Sequence, residues 1–348
     1  IAVANMLYND ERVGSSSRGP TADGRVKPDI SAHGNGNLSL DPNNQYGPGG
    51  GTSAAAPSTA GTVAMLYDAY RDMNGGVDPN GGLIKATILN TADDIGRTGP
   101  DYEHGWGRIH AGNAYEVLSN NQYIMSSVAN NGSNAHPITV PSETKEVKVM
   151  VLWVDPAGSS NASIALINDI NIVMTTPSGQ NYEPRILGLD PTLASLEADA
   201  VRGIDDRNNM EQVSLENPPT GNYTINVSGF NIPQGPQEYF LVYHFIQDEI
   251  TVTYPNGDGE PMVPGVEEPL RWDAFGSAGD FTVEYSLNNG TSWTTISNSV
   301  SGSDRYLNWT PPATSTGAAK IRVSRNGQSD ESDAGFTIIE EPDFTIVG

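Results

Sequence analysis

The sequence contains no cysteine, so it has no disulfide framework, thiolate metal site or thiol nucleophile. No run of eighteen apolar residues occurs, which leaves no helical membrane span. Basic residues are scarce: 18 Lys and Arg stand against 42 Asp and Glu, a formal charge of −24 over 348 residues. Phosphate binding needs a basic face, so nucleic acid is not an expected partner. An acidic surface stays soluble and can hold cations. The five histidines, His33, His104, His110, His136 and His244, form no ligand pattern with nearby partners, which argues against zinc. A signal peptide is also missing, but Ile1-Ala2-Val3-Ala4-Asn5-Met6 reads as a strand already in progress, and the parent chain is expected to extend upstream.

What is present centres on Gly51-Thr52-Ser53-Ala54-Ala55-Ala56-Pro57, after a glycine-rich approach and before an apolar helical run that reaches about Met73. Glycines let the backbone approach closely, and Ser53 falls where a helix begins. Pro57 is expected within the opening turn, where amide groups lack intrahelical partners. Ala56, Thr59, Ala60, Val63, Leu66, Tyr67 and Tyr70 recur at three- and four-residue spacing and predict the buried face. Two further helices are expected over 83–92 and 111–118, and a short strand over 28–32. The Asn-, Pro- and Gly-rich stretch 42–51 reads as a loop.

Other motifs surround that serine: Ser15-Ser16-Ser17-Arg18-Gly19-Pro20, Asp23-Gly24-Arg25, Lys27-Pro28-Asp29-Ile30 and Gly105-Trp106-Gly107-Arg108-Ile109. In order and spacing they resemble the last third of a subtilisin-like serine protease domain, a subtilase, over roughly residues 1–120. The resemblance implies that Ser53 is the nucleophile. It also implies that the triad Asp and His and the oxyanion Asn lie upstream of Ile1, because His33, in Ala32-His33-Gly34, does not match the family's histidine motif. A serine hydroxyl is a poor nucleophile until an oriented imidazole takes its proton, so this stretch alone is an incomplete active site. The Ser53 backbone N–H is the one oxyanion donor assignable here, and losing one such donor costs about 10²–10³ in rate.

Beyond about residue 120 the pattern turns from helical to alternating, as in Val147, Val149, Val151 and Trp153, in Tyr223, Ile225 and Val227, and in Tyr239, Leu241, Tyr243 and Phe245. Leu152-Trp153-Val154-Asp155, Ile167-Asn168-Asp169-Ile170-Asn171-Ile172 and Asp206-Arg207-Asn208-Asn209-Met210-Glu211 resemble the C-terminal β-domain of one group of bacterial subtilases, itself similar to the P-domain of proprotein convertases. Oxygen ligands gather there, and Asp169, Asn171, Asp206, Asn209 and Glu211 are candidate ligands for a structural calcium ion, which takes six to eight oxygens. The bland alternative is that these side chains cap turns in water. From about Ile250, short strands at sandwich spacing include Leu270-Arg271-Trp272, Phe281-Thr282-Val283-Glu284-Tyr285 and Tyr306-Leu307-Asn308-Trp309.

The fold expected is therefore multidomain. It comprises the C-terminal portion of an α/β subtilisin-like domain (1–121), a P-domain-like β-sandwich or jelly roll (122–247) and an immunoglobulin- or fibronectin-III-like β-sandwich (248–348). Two functions follow. One is a secreted or surface-located serine endopeptidase that acts on proteins or peptides, with its upstream portion as an obligate partner. The other is a non-catalytic adhesion protein on a decayed subtilase scaffold.

Overall fold

The structure is a computed structural model that describes residues 1–42, 44–257 and 259–339, so the last part of the expected third domain lies outside the described residues. Strand β1 (Val3–Met6) pairs in parallel with β2 (Ile30–His33). Through Gly34 the chain then enters a hairpin of β3 (Asn35–Asp41) and β4 (Gln45–Gly50), turned by Asn44 at φ 62°. This corrects the reading of 42–51 as a loop. The segment has no apolar alternation to betray a strand, and Leu40 and Tyr46 stand exposed, so backbone pairing rather than burial holds it.

Helix α1 (Thr52–Met73) follows directly. Its buried residues are Ala55, Thr59, Leu66 and Tyr70, with Val63 and Tyr67 partly buried against the same core, so the expected face holds from Thr59 on except at Ala60, while at the helix start Ala55 rather than Ala56 is buried. A run of three alanines carries no polarity with which to mark a side. Thr59 is buried without penalty because its Oγ1 donates to the Ala55 carbonyl at 3.2 Å. Pro57 is the sixth helical residue rather than part of the opening turn, and its missing N–H leaves the Ser53 carbonyl without its intrahelical donor.

Helix α2 (Gly81–Asn90) starts earlier than its apolar spacing suggests, because the Asn80 side chain accepts from the Gly82 N–H at 2.8 Å and fixes the N-terminus there. Helix α3 (Ala111–Ser119) is capped by His110, whose Nδ1 accepts from the Asn113 N–H at 3.0 Å.

Two four-stranded antiparallel sheets come next. Their strands, in chain order, are β5 (Tyr123–Val128), β6 (Ser133–Val140), β7 (Glu146–Trp153), β8 (Asp169–Thr175), β9 (Asn181–Tyr182), β12 (Met210–Glu216), β13 (Gly221–Asn231) and β14 (Gln237–Ile246). The short pair β10 (Arg185–Ile186) and β11 (Val201–Arg202) and the single turn α4 (Leu193–Leu196) lie in the connection before β12. One sheet runs β12-β7-β14-β5 and the other β6-β13-β8-β9.

Strand β7 is buried on both faces. Val147, Val149, Val151 and Trp153 enter the core between the sheets, while Met150 and Leu152 join Leu83, Ile84, Ile88 and Leu89 of α2, with Phe240 and Val242 of β14, in a second core. Each such side chain stabilises by roughly 1.5–3 kcal/mol relative to exposure. The buried Asn90 is satisfied across this seam, donating to the Lys148 and Val242 carbonyls and accepting from Gln212. Residues 1–246 thus form one compact unit, and the change near residue 121 marks a change of element rather than a break in the core.

The second unit begins at Gln247. One sheet holds β15 (Ile250–Tyr254), β16 (Glu268–Ala274) and β19 (Tyr306–Trp309). The other holds β17 (Phe281–Ser286), β18 (Thr294–Val300), β20 (Thr316–Arg325), β21 (Gln328–Glu331) and β22 (Phe336–Ile338). The sheets meet at Trp272 and Phe281, whose rings stack edge-on at 5.2 Å. Trp272 and Trp309 are core residues of this sandwich.

Candidate active-site serine and cation site

Ser53 is the second residue of α1 and is exposed; its hydroxyl makes no hydrogen bond among the described residues. What positions it is the approach of β2. Gly34 lies against the helix start so closely that a Cβ there would sit 2.5 Å from the Ala55 nitrogen and 2.7 Å from the Gly51 oxygen. Gly51, at φ 97° and ψ 178°, holds a conformation that L residues with side chains avoid. The Gly51 carbonyl accepts from Ala54 and Ala55, which leaves the amides of Thr52 and Ser53 outside the helical ladder.

Helices α2, α3 and α4 each have a side-chain cap; among the described residues α1 alone starts without one. Unclaimed donors and the positive end of the helix dipole therefore converge beside an exposed serine hydroxyl. His33 ends β2, the strand that adjoins the helix start, and makes no hydrogen bond to Ser53.

The five candidate metal ligands divide in the structure. Asp169 and Asn171 share one face of β8, and Glu211 reaches from β12 in the opposite sheet, where its Oε2 accepts from the Ile172 N–H at 2.9 Å. Asp169 Oδ1, Asn171 Oδ1 and Glu211 Oε1 are buried with no hydrogen-bond partner. Burial, with Asp205, Asp206 and Asp155 nearby, pushes the Asp169 carboxyl up to about 6. Glu211 is held well above the usual range by burial and then by Asp205 and Asp169, against the opposing Ile172 amide.

Neither carboxylate takes part in an ion pair among the described residues. Three buried oxygens without donors, in a field of like charge, match the donor chemistry of a hard cation. Asp206 is largely exposed and pairs with Arg207 at 3.3 Å, and Asn209 donates to the Trp153 carbonyl at 2.6 Å. Asp205 is buried beside them, its oxygens taken by Arg207, Asn208 and the Asn208 side chain. The burial of Glu211 was open to sequence reasoning only through the strand that carries it.

Residues 1–121 thus present an exposed serine at an uncapped helix start, set between close-packed glycines. Residues 1–107 match the model of the Subtilase family, peptidase S8. The serine protease/ABC transporter B family protein tagB of Dictyostelium discoideum is 26% identical over 319 residues, covering 69% of this chain and 16% of that protein. At that coverage the similarity extends beyond residues 1–107. C5a peptidase of Streptococcus pyogenes serotype M6 is 34% identical over 150 residues, 40% of this chain and 13% of its own length. The neisserial autotransporter lipoprotein NalP of Neisseria meningitidis is 44% identical over 64 residues, 18% of this chain and 5% of its own. The chain spans less than a fifth of the length of these relatives.

Proposed function

We propose that this chain is part of a secreted or surface-located serine endopeptidase in which Ser53 is the acylated nucleophile. The observation that carries this reading is the uncapped, exposed start of α1. A hydroxyl there can attack a peptide carbonyl while the carbonyl oxygen, as it gains charge, meets the Ser53 N–H and the helix dipole. The hydroxyl proton passes to a histidine oriented by an aspartate, and that imidazolium then protonates the leaving amine. Water repeats the sequence to release the acyl group. Among the described residues the Ser53 hydroxyl makes no hydrogen bond to a histidine, so the 348-residue chain expressed alone is expected to be inactive. Secretion is supported by a relative named as an autotransporter lipoprotein.

Calcium is the cation proposed for the β-sandwich, held by Asp169, Asn171 and Glu211, with Asp206 and Asn209 at the rim. Its contribution is to neutralise carboxylates that link the two sheets. We read the second unit as an immunoglobulin- or fibronectin-III-like accessory domain, dispensable for peptide hydrolysis.

A fluorophosphonate probe tests the catalytic assignment. It should label the parent at Ser53 and fail on both Ser53→Ala and the 348-residue chain alone. A folded parent that resists labelling would point instead to the non-catalytic adhesion reading. Labelling of the isolated chain would place a general base within it, with His33 the first to test.

A further inference from the structure

The connection before β12 grips the segment that leads into β2, and the grip starts from a carboxylate beside the cation site. Asp205 accepts from the backbone N–H groups of Arg207 at 2.8 Å and Asn208 at 2.9 Å, and from the Asn208 side-chain nitrogen at 2.8 Å. Held in this way, the Asn208 amide turns its oxygen to the Val26 N–H and accepts from it at 2.9 Å. Asp205, Asn208 and Val26 are all buried, so breaking this chain of bonds leaves polar groups without water to replace their partners. The Val26 side chain packs with Tyr102, Leu187 and Ala200 in a small apolar cluster of its own. Val26 stands just before β2, and the far end of β2 meets Gly34, the residue against which the start of α1 is seated.

Asp205 also faces the proposed ligands, adding like charge to both Asp169 and Glu211. A cation held by Asp169, Asn171 and Glu211 offsets that repulsion and draws the Asp205 carboxylate inward. We propose that Asn208 is a positioning residue, which links the cation site to the subtilase-matched segment by holding Val26 while Asp205 holds Asn208. This inference rests on the calcium reading. Without the ion, Asp205 is repelled by its neighbours, the 205–208 turn relaxes, and the Val26 N–H is released. With the ion, the turn is drawn in and the bond is kept. A ligand shifts an equilibrium only by its differential affinity for the two states, and the charge of Asp205 supplies that difference. A second bridge joins the same two parts, from the Tyr102 hydroxyl to the Gly188 carbonyl at 3.3 Å. It ends on no charged group, so the ion has no comparable hold on it.

The test is hydrogen exchange, read by mass spectrometry on the whole 348-residue chain in calcium and in chelator. Three stretches report separately. Residues 167–175 contain the Ile172 N–H that bonds Glu211, 22–29 contain Val26, and 83–90 of α2 show stabilisation shared by the whole unit. Calcium should slow exchange at 167–175, and at 22–29 by about fivefold or more beyond its effect at 83–90, the lower end of ordinary coupling between sites. Asn208→Ala should abolish this excess at 22–29 and keep the response at 167–175. Tyr102→Phe should keep both. Protection at 167–175 with no excess at 22–29 in the unsubstituted chain would overturn the proposal and leave the cation in place, whereas no protection at either would overturn both. An excess at 22–29 that survives in folded Asn208→Ala, or vanishes in folded Tyr102→Phe, would show that packing carries the effect rather than Asn208. The unsubstituted chain and Tyr102→Phe decide the matter even if Asn208→Ala does not fold.

Discussion

At Gly34 the space available is set by backbone, not by a side chain that can move aside. An added methyl would meet the Ala55 nitrogen and the Gly51 oxygen, so either β2 or the start of α1 must shift. Gly34→Ala is therefore expected to cost about 1–3 kcal/mol in urea denaturation of this chain. Ser53→Ala removes only an exposed hydroxyl and should stay within about 0.5 kcal/mol of the parent sequence. In the full-length enzyme Ser53→Ala should instead reduce hydrolysis by several orders of magnitude. Equal stability losses for the two substitutions would mean that the serine is a packing residue. The helix start at Ser53 was legible because glycines, serine and alanines in that order state a backbone requirement. Its lack of a cap was not, since it depends on which donors β2 and β4 leave unclaimed.

Strands β7 and β14 link the helices to the sandwich, and their sequences announce this only in part. The alternation of Val147, Val149, Val151 and Trp153 gives one buried face. The intervening Met150 and Leu152 give the other, and the near-continuous apolar run is the mark of a strand covered on both sides. His244, on β14 opposite Lys148, sits in that covered face at 2% exposure. Burial, then Lys148 and His110, pushes its imidazole down to about 3. The unfolded chain therefore binds a proton that the native protein does not. The stability that neutral His244 permits is fully present above about pH 6.5 and is lost as pH falls towards about 3. His244→Gln should flatten this acid limb between pH 6.5 and 4 and change little at pH 8. Taking the difference between variant and wild-type denaturation curves cancels the carboxylates that titrate in the same range. A difference that does not vary with pH would exclude His244 as the source. By contrast, the β3–β4 hairpin escaped sequence reading because glycine and proline dominate β4 and exposed side chains leave no periodicity.

The two units have separate cores, so the molecule should unfold in two steps, and residues 1–246 expressed alone should reproduce one of them. Residues 122–246 alone should not fold equally well, because Met150, Leu152, Phe240 and Val242 would lose α2 as their cover. Calcium separates the units in a second way. Its proposed ligands join β8 to β12 and lie wholly in the first unit, so only that unit's transition should move. With free ion a hundredfold over its dissociation constant, mass action adds about 2.7 kcal/mol, a rise of roughly 5–10 °C for a unit of this size. Glu211→Gln gives the sharper test, because its effect should depend on the ion. In chelator the substitution relieves a buried acid held well above its usual range and should cost little or stabilise. In calcium it removes a charged ligand and should abolish most of the rise. A purely structural Glu211, valued only for its bond to the Ile172 N–H, predicts the same loss in both conditions. Coincident melting curves for the unsubstituted chain with calcium and with chelator would remove the cation from the account altogether.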